Sequence, residues 1–184
     1  IVGNLTVFQR TPNWCTPLHN KKIPKDRMEQ IKQNYDEILE LCTQTPGCYI
    51  HSTDPRSTFE VTEEERIAFW EKLYAEPGFG IWQGNFRDML TDRTANAMMS
   101  DFLAEKIRGR VNDPILAEKL IPKDHGFGTR RVPQETFYYE TYNKDNVKLI
   151  DINENPIIEI IPNGIRTKES DIELDIIIYA TGFD

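Results

Sequence analysis

Arg10 and Thr11 pair a guanidinium with a hydroxyl directly after a short apolar run at residues 5–8. Both groups suit a phosphate, since the arginine donates two parallel N–H bonds and the threonine donates through its hydroxyl. The run predicts a strand, and open α/β sheets bind ligands outside the carboxyl ends of their parallel strands. In a dinucleotide fold, a cationic residue here favours a ribose 2′-phosphate over a free 2′-hydroxyl. The pattern therefore points to NADP rather than NAD, although an ordinary exposed strand end has the same appearance.

A second basic segment contains Gly126 and Gly128, followed by the pair Arg130 and Arg131. The glycines permit close backbone approach and unusual φ angles, and the arginines concentrate positive charge in an acidic chain. If the segment is extended, the two arginine side chains point to opposite sides. One could then hold a cofactor phosphate while the other faces a reaction centre. A solvated dibasic pair is the plain alternative, and the segment alone does not separate the two.

Composition narrows the function classes. The chain has 184 residues and a net charge of −8, which argues against nonspecific binding of nucleic acid. No stretch approaches the roughly 18 apolar residues of a membrane helix. Three widely spaced cysteines form no metal-binding pair, and three scattered histidines suggest no metal site. A reducing cytoplasm is therefore the expected location.

The elements that must position these residues fall into a β zone, a long helical zone and a second β zone. The predicted strands are 5–8, 147–152, 157–161 and 172–180. The predicted helices are 26–43, 62–75, 92–108 and 115–121. The last strand contains a continuous apolar run, typical of a strand buried on both faces of a parallel sheet. We expect the helical zone to be an insertion, with the strands at 5–8 and after 147 sharing one sheet.

Five segments, in order and in separation, resemble those of the Baeyer–Villiger monooxygenases. These are class B flavoprotein monooxygenases that depend on FAD and NADPH. The resemblance spans essentially the whole chain, and five ordered segments are far more specific than any one of them. The segments are residues 5–12, 122–124, 130–131, 138–147 and 173–184.

The resemblance implies an α/β fold with a partial, Rossmann-like NADP-binding domain that contains an inserted helical subdomain. The implied parts are the NADP-binding domain at 1–16 and 126–176, the helical insertion at 17–125, and a linker at 177–184 that returns to an FAD domain. The chain lacks the family's two Gly-x-Gly-x-x-Gly phosphate loops and its fingerprint of a His and a Trp in a Phe-x-Gly pattern. We therefore expect an internal fragment that is inactive without the rest of its polypeptide.

The resemblance also implies a role for each basic residue. Arg10 and Thr11 align with the residues that grip the 2′-phosphate of NADP, and Arg130 with a lysine that contacts the same phosphate. Arg131 aligns with the active-site arginine, which stabilises the C4a-peroxyflavin and the oxyanion of the substrate adduct. A guanidinium suits that role because it keeps its proton beside developing negative charge. The linker residues aligned near the cofactors are Ala180, Thr181 and Gly182.

The activity implied for the parent protein is the insertion of one oxygen atom of O2 beside a ketone carbonyl, giving an ester or lactone. The partners implied are a small-molecule ketone, O2 and the remainder of the polypeptide. A class B monooxygenase that oxygenates N or S atoms shares this architecture, although the arginine pair after a long helical insert favours the Baeyer–Villiger branch. A non-enzymatic helical interaction module fits the capped amphipathic helices, but it does not fit the position of Arg10 or the apolar terminal strand.

Overall fold

A computed structural model describes residues 2–180 and 182, which form a mixed α/β structure. The strands in this part of the chain are β1 (Leu5–Gln9), β2 (Thr16–Pro17), β3 (Gln134–Glu135), β4 (Val147–Asp151), β5 (Ile157–Ile161), β6 (Gly164–Thr167) and β7 (Asp171–Glu173). The helices are α1 (Lys25–Gln33), α2 (Tyr35–Gln44), α3 (Glu63–Ala75), α4 (Gly80–Gln83), α5 (Arg93–Arg108), α6 (Pro114–Leu120) and α7 (Tyr138–Thr141). None of these helices combines the length and the apolar character that crossing a bilayer requires.

The first strand pairs in parallel with β4, on the far side of the helical zone. The register runs from Leu5 opposite Val147 to Gln9 opposite Asp151. The side chain of Gln9 also donates a 2.8 Å hydrogen bond to the carbonyl of Lys119, at the end of α6. The expectation that the strand at 5–8 and a strand after 147 share one sheet is confirmed. A second, shorter parallel pair joins β2 to β3.

The starts of three predicted helices, α3, α5 and α6, are capped by side chains. In α3 the Thr62 hydroxyl accepts from the Glu65 backbone N–H at 3.2 Å, and the Glu65 carboxylate accepts from the Thr62 backbone N–H at 2.9 Å. Asp92 and Asp113 cap α5 and α6 through their carboxylates, and Pro114 occupies the first turn of α6. These contacts satisfy backbone donors that have no partner within the helix. The short helix α4 was not predicted.

The single helix predicted at 26–43 is wrong, because the chain forms α1 and α2 with a break at Asn34. The Asn34 side chain donates a 2.8 Å hydrogen bond to the Gln30 carbonyl, and the Asn34 backbone N–H bonds to the same oxygen. An asparagine that binds the backbone in this way competes with the continuing helix. Neither helix contains a fully buried residue.

The predicted strand at 172–180 is wrong beyond Glu173. The described structure has β5, β6 and β7 as an antiparallel sheet, with the predicted turn at Pro162 and Asn163 joining β5 to β6. Past β7 the chain runs without strand pairing, and Ile176, Ile178 and Tyr179 are 74%, 85% and 69% exposed. A strand requires a neighbour for its hydrogen bonds, and no strand lies beside 174–180 among the described residues. Apolar composition alone does not supply one.

The hydrophobic core extends from the helical zone into the segment between residues 127 and 142. Its largest fully buried apolar side chains are Trp70, Met89, Met99, Leu103, Leu120, Phe127, Val132 and Tyr139. Asn85 is buried among them, and its carbonyl oxygen accepts from the Trp70 indole at 3.0 Å and from the Phe86 N–H at 2.8 Å. Its amide donates to the Ile81 carbonyl at 2.9 Å. The polar atoms of this asparagine are thus satisfied inside the core.

Arg110, which follows α5, connects the end of this helix to α3, β3 and α7. Its guanidinium bonds to both carboxylate oxygens of Glu140 at 2.6 and 2.8 Å, to Glu135 at 2.8 Å and to the hydroxyl of Tyr74 at 3.1 Å. It also lies over the ring of Tyr139, 5.0 Å from the centroid. The Glu135 side chain is only 6% exposed, so its charge depends on this partner. The same arginine bonds lower the pKa of Glu140, which favours its ionised form.

The loop after α6 carries the second basic segment, and helix α5 holds it in place. Phe127 is fully buried, and its backbone N–H and carbonyl bond to the side chains of Ser100 and Asn96 at 3.0 and 2.8 Å. A Cβ at Gly126 would lie 1.7 Å from the Asn96 side-chain oxygen, and Gly128 has a φ of +77°. Both glycines therefore have the conformational role that the sequence indicated.

Replacing Arg110 by Met is expected to lower the free energy of unfolding by about 3–5 kcal/mol, because the Glu135 carboxylate would stay buried without its charged partner. Urea unfolding measures the change. The matched control is Arg87→Met, since Arg87 pairs with Glu60 where both side chains are about half exposed. That substitution should change the free energy by about 1 kcal/mol or less. Equal effects of the two substitutions would contradict the role given to Arg110.

Replacing Gly126 by Ala is expected to lower the free energy of unfolding by about 1–3 kcal/mol, because Asn96 must move away from the Phe127 carbonyl. Gly109→Ala is the control, since a Cβ there meets nothing nearer than 3.5 Å and the φ is −71°. Thermal unfolding monitored by circular dichroism compares the two. A neutral Gly126→Ala would show that α5 does not constrain this loop.

Candidate cofactor-phosphate site

A groove opens at the carboxyl end of β1, where the loop after this strand meets the loop after α6 and the turn after β4. Its volume is about 370 Å³. Its polar lining consists of three cations, four carboxylates, a hydroxyl and an amide: Arg10, Lys119, Lys123, Glu118, Asp124, Asp151, Glu154, Thr11 and Asn153. The predicted phosphate-binding pair thus lies in a concave surface at the end of a parallel strand, where α/β sheets bind ligands.

Arg10 supplies the unpaired positive charge of this groove. Its backbone carbonyl accepts a 2.5 Å hydrogen bond from the amide of Asn153, which fixes the loop against the end of β4. Its exposed guanidinium forms no ion pair with any residue that the structure describes. The two lysines of the groove differ, because each is already paired, with Glu154 and Glu118 respectively. An anion entering the groove therefore finds a free guanidinium at Arg10.

Arg130 reaches the groove through Asp124 rather than directly. One of its terminal nitrogens lies 2.9 Å from a carboxylate oxygen of Asp124, and both side chains are about half exposed. A hydrogen bond from His125, with the positive charge of Arg130, lowers the pKa of Asp124. The carboxylate is thus ionised and occupies the position of a counter-ion to Arg130. Arg10, Thr11 and Asp124 thus line one groove, and Arg130, which is not among the lining residues, pairs with Asp124.

Arg131 is held by its backbone. Its carbonyl accepts a 3.0 Å hydrogen bond from the side-chain amide of Asn13, and the following residue, Val132, is buried. The exposed guanidinium lies outside the lining of the groove and makes no ion pair within the described ranges. Arg131 is therefore fixed in position and free to meet a negative charge supplied by another molecule.

The predicted linker residues are not tied to this groove. Ala180 is exposed, and Gly182 has a φ of +86° with open space where a Cβ would stand. Thr181 lies outside the described residues. Their expected position near the cofactors stays a prediction.

Residues of the groove region to which the sequence assigned no role are Asn13, Asp124 and His125. His125 Nε2 lies 3.0 Å from the Asn13 side-chain oxygen, although the two residues are 112 positions apart in the chain. Trp14 is buried beside them, and its indole donates to the His125 carbonyl at 3.0 Å. Proximity to the arginine pair was the one sequence signal for Asp124 and His125. Asn13 carried none, because its partners are distant in sequence.

The side-chain donors of Arg10 and Thr11 suit NADP better than FAD. A free guanidinium and a hydroxyl at a strand end fit the 2′-phosphate of a pyridine dinucleotide. The pyrophosphate of FAD is typically held by a glycine-rich loop at a helix N-terminus, and the described residues contain no such loop. No group of His, Cys, Asp or Glu within the same residues has the arrangement of a metal site.

Comparison with known proteins gives a consistent result, although no protein-family model matches the chain. It is 55% identical over 180 residues to the 2-oxo-Delta(3)-4,5,5-trimethylcyclopentenylacetyl-CoA monooxygenase of Pseudomonas putida, covering 98% of this chain and 33% of that protein. It is 39% identical over 189 residues to the Baeyer-Villiger monooxygenase of Pseudooceanicola batsensis, covering 100% of this chain and 34% of that protein.

A crystal structure of OTEMO in complex with FAD and NADP matches the fold with a TM-score of 0.96 at 55% identity. The match covers 98% of this chain and 34% of that one. The chain thus spans about a third of the length of the curated relatives it matches. In sequence and in fold it is similar to a segment of these monooxygenases, and the resemblance predicted from the five segments is confirmed.

Proposed function

We propose that this chain is the NADP-binding part of a flavin monooxygenase that uses NADPH and O2 to convert a ketone into an ester or lactone. The observation that carries the proposal is the free guanidinium of Arg10, beside Thr11, at the carboxyl end of the parallel strand β1. The relatives support it, since one is named for a 2-oxo compound and another for Baeyer–Villiger chemistry. Those two names favour a carbonyl substrate, while a phenazine N-monooxygenase is among the less similar relatives, at 35% identity over 186 residues.

The proposed organisation is a Rossmann-like NADP-binding domain at 1–16 and 126–176, interrupted by a helical insertion at 17–125. The parallel pairing of β1 with β4 supports it, because these two paired strands precede and follow the helical zone in the chain. Residues 177–184 would then lead to an FAD domain in the rest of the parent enzyme, without which we expect no catalysis. The proposed location is the cytoplasm, and the three free cysteines agree with a reducing compartment.

Each basic residue has a separate task in the proposed reaction. Arg10 and Thr11 hold the 2′-phosphate of NADP, and Arg130 contributes a second charge from beside the groove, where it pairs with Asp124. Arg131 stabilises negative charge that develops on the substrate oxygen, for which a permanently protonated donor is suited. FAD, bound by the parent enzyme, supplies the oxygen chemistry. The linker residues Ala180, Thr181 and Gly182 are proposed to contribute to cofactor binding.

Replacing Arg10 by Ala in the full-length enzyme is expected to weaken NADPH binding by about 10- to 100-fold, the effect of losing a charge-assisted hydrogen bond to phosphate. The affinity for NADH should stay unchanged, because NADH has no 2′-phosphate. Titration calorimetry with both nucleotides measures the difference. Arg27→Ala, an exposed arginine on α1, is the control. Equal weakening of NADPH and NADH would exclude Arg10 from the phosphate site.

Replacing Arg131 by Ala is expected to preserve NADPH-dependent bleaching of the flavin and to lower ester formation by about 100-fold or more, as loss of a transition-state donor does. Arg131→Lys should restore part of the ester formation, because it retains the charge but not the planar fork. Stopped-flow absorbance and product analysis by gas chromatography separate the two steps. Undiminished ester formation in Arg131→Ala would remove this residue from the reaction.

A further inference from the structure

We infer that Asp124, His125 and Asn13 form a positioning relay that sets Arg130 and Arg131 relative to each other, and that His125 acts in it as a doubly protonated imidazolium. The inference deepens the proposed function, since it rests on the tasks given there to the two arginines. His125 is a positioning residue here, because it contacts neither substrate nor cofactor in this scheme. We call the three residues the Asp124–His125–Asn13 relay.

The relay is a continuous series of hydrogen bonds between the two arginines. Arg130 pairs with one oxygen of Asp124 at 2.9 Å, and the other oxygen lies 2.7 Å from His125 Nδ1. His125 Nε2 lies 3.0 Å from the side-chain oxygen of Asn13. The amide nitrogen of Asn13 then donates to the Arg131 carbonyl at 3.0 Å. The guanidinium of Arg130 is thus connected to the backbone of Arg131 through side chains as well as through the peptide bond.

The orientation of the Asn13 amide is determined by two backbone groups. Its nitrogen faces the carbonyl oxygen of Arg131, which can only accept a hydrogen bond. Its oxygen accepts from the Trp14 backbone N–H at 2.9 Å, which can only donate. A flipped amide would set oxygen against oxygen and N–H against N–H. The Asn13 atom that faces His125 is therefore an oxygen, an acceptor.

The protonation state of His125 follows from its two partners. Nε2 faces the Asn13 oxygen, and Nδ1 faces an ionised carboxylate, so both ring nitrogens lie beside acceptors. A neutral imidazole has one N–H donor and one acceptor nitrogen, and it satisfies only one of these contacts. Both hydrogen bonds form only when the ring carries two protons. Deprotonation breaks the relay at one of its two ends.

The His125 side chain is 6% exposed, and His125 lies at the edge of a groove that α5 also lines. The Trp14 indole donates to the His125 carbonyl at 3.0 Å. Asp124 provides the one carboxylate in contact with the imidazole among the described residues. Other charged groups line the same groove without bonding to the ring. They are Asp92, Arg93, Asp101, Arg108 and Lys123.

The relay has a consequence for the proposed reaction. Arg130 is assigned to the cofactor phosphate and Arg131 to the substrate oxygen, so the distance between their charges affects both steps. The Asp124–His125–Asn13 relay connects the loop at residues 13–14 to the loop at residues 124–131. The relative position of these loops affects the distance between the two charges. Loss of one bond in it should weaken NADPH binding and reduce the fraction of NADPH consumed that yields ester.

The experiment uses the full-length enzyme and His125→Gln, with His51→Gln as the matched control, since His51 has no hydrogen-bond partner among the described residues. Selective ¹⁵N labelling of histidine and NMR at neutral pH should show two protonated ring nitrogens for the signal that His125→Gln removes. NADPH affinity should fall by about tenfold in His125→Gln, as for loss of one hydrogen bond to a charged group. It should stay unchanged in His51→Gln.

A second variant tests the same relay if His125→Gln does not fold. Asn13→Ala keeps the imidazole and removes the Nε2 acceptor, and it should reproduce the loss of affinity.

A single protonated nitrogen at neutral pH, or unchanged affinity in a folded Asn13→Ala, would overturn the relay. Two protonated nitrogens in an enzyme without affinity for NADPH would support the relay's hydrogen bonding and overturn the proposed function instead.

Discussion

The parallel pairing of β1 with β4 is the constraint on which the site depends. Parallel strands cannot be joined by a tight turn and need a long connection, here the whole helical zone. The pairing brings the carboxyl ends of both strands to one edge, so that residues following Gln9 and Asp151 become neighbours. The bond from Asn153 to the Arg10 carbonyl is the direct result. Without this register, Arg10 would have no groove to face.

The helical zone positions the loop at residues 124–131 at the same edge of the sheet and keeps it rigid. Phe127 is inserted into the core, and Asn96 and Ser100 bind its backbone on both sides. The exposed arginines that follow, Arg130 and Arg131, are therefore anchored by this buried residue rather than carried on a free loop. A rigid scaffold that presents polar groups from its connecting segments is a common arrangement for binding sites.

The sequence predicted what depends on neighbouring residues. The caps at Thr62, Asp92 and Asp113 act within one turn, and the position of Arg10 after an apolar strand needs only the adjacent residues. The break at Asn34 and the open chain after Glu173 were missed, because the first depends on one side chain competing with the backbone. The second depends on the presence of a neighbouring strand, which composition does not reveal.

The contacts around His125 were missed for a related reason, since Asn13 and His125 meet only after the fold has closed. These contacts also explain how Arg130 can serve a phosphate while it is paired with Asp124. That ion pair is about half exposed on both sides, and such pairs contribute about 1 kcal/mol or less. One terminal nitrogen of Arg130 faces Asp124, so its remaining N–H groups can bind an incoming anion while the relay stays intact. The other carboxylate oxygen of Asp124 faces His125, and Asp124 therefore keeps both of its partners beside a bound phosphate.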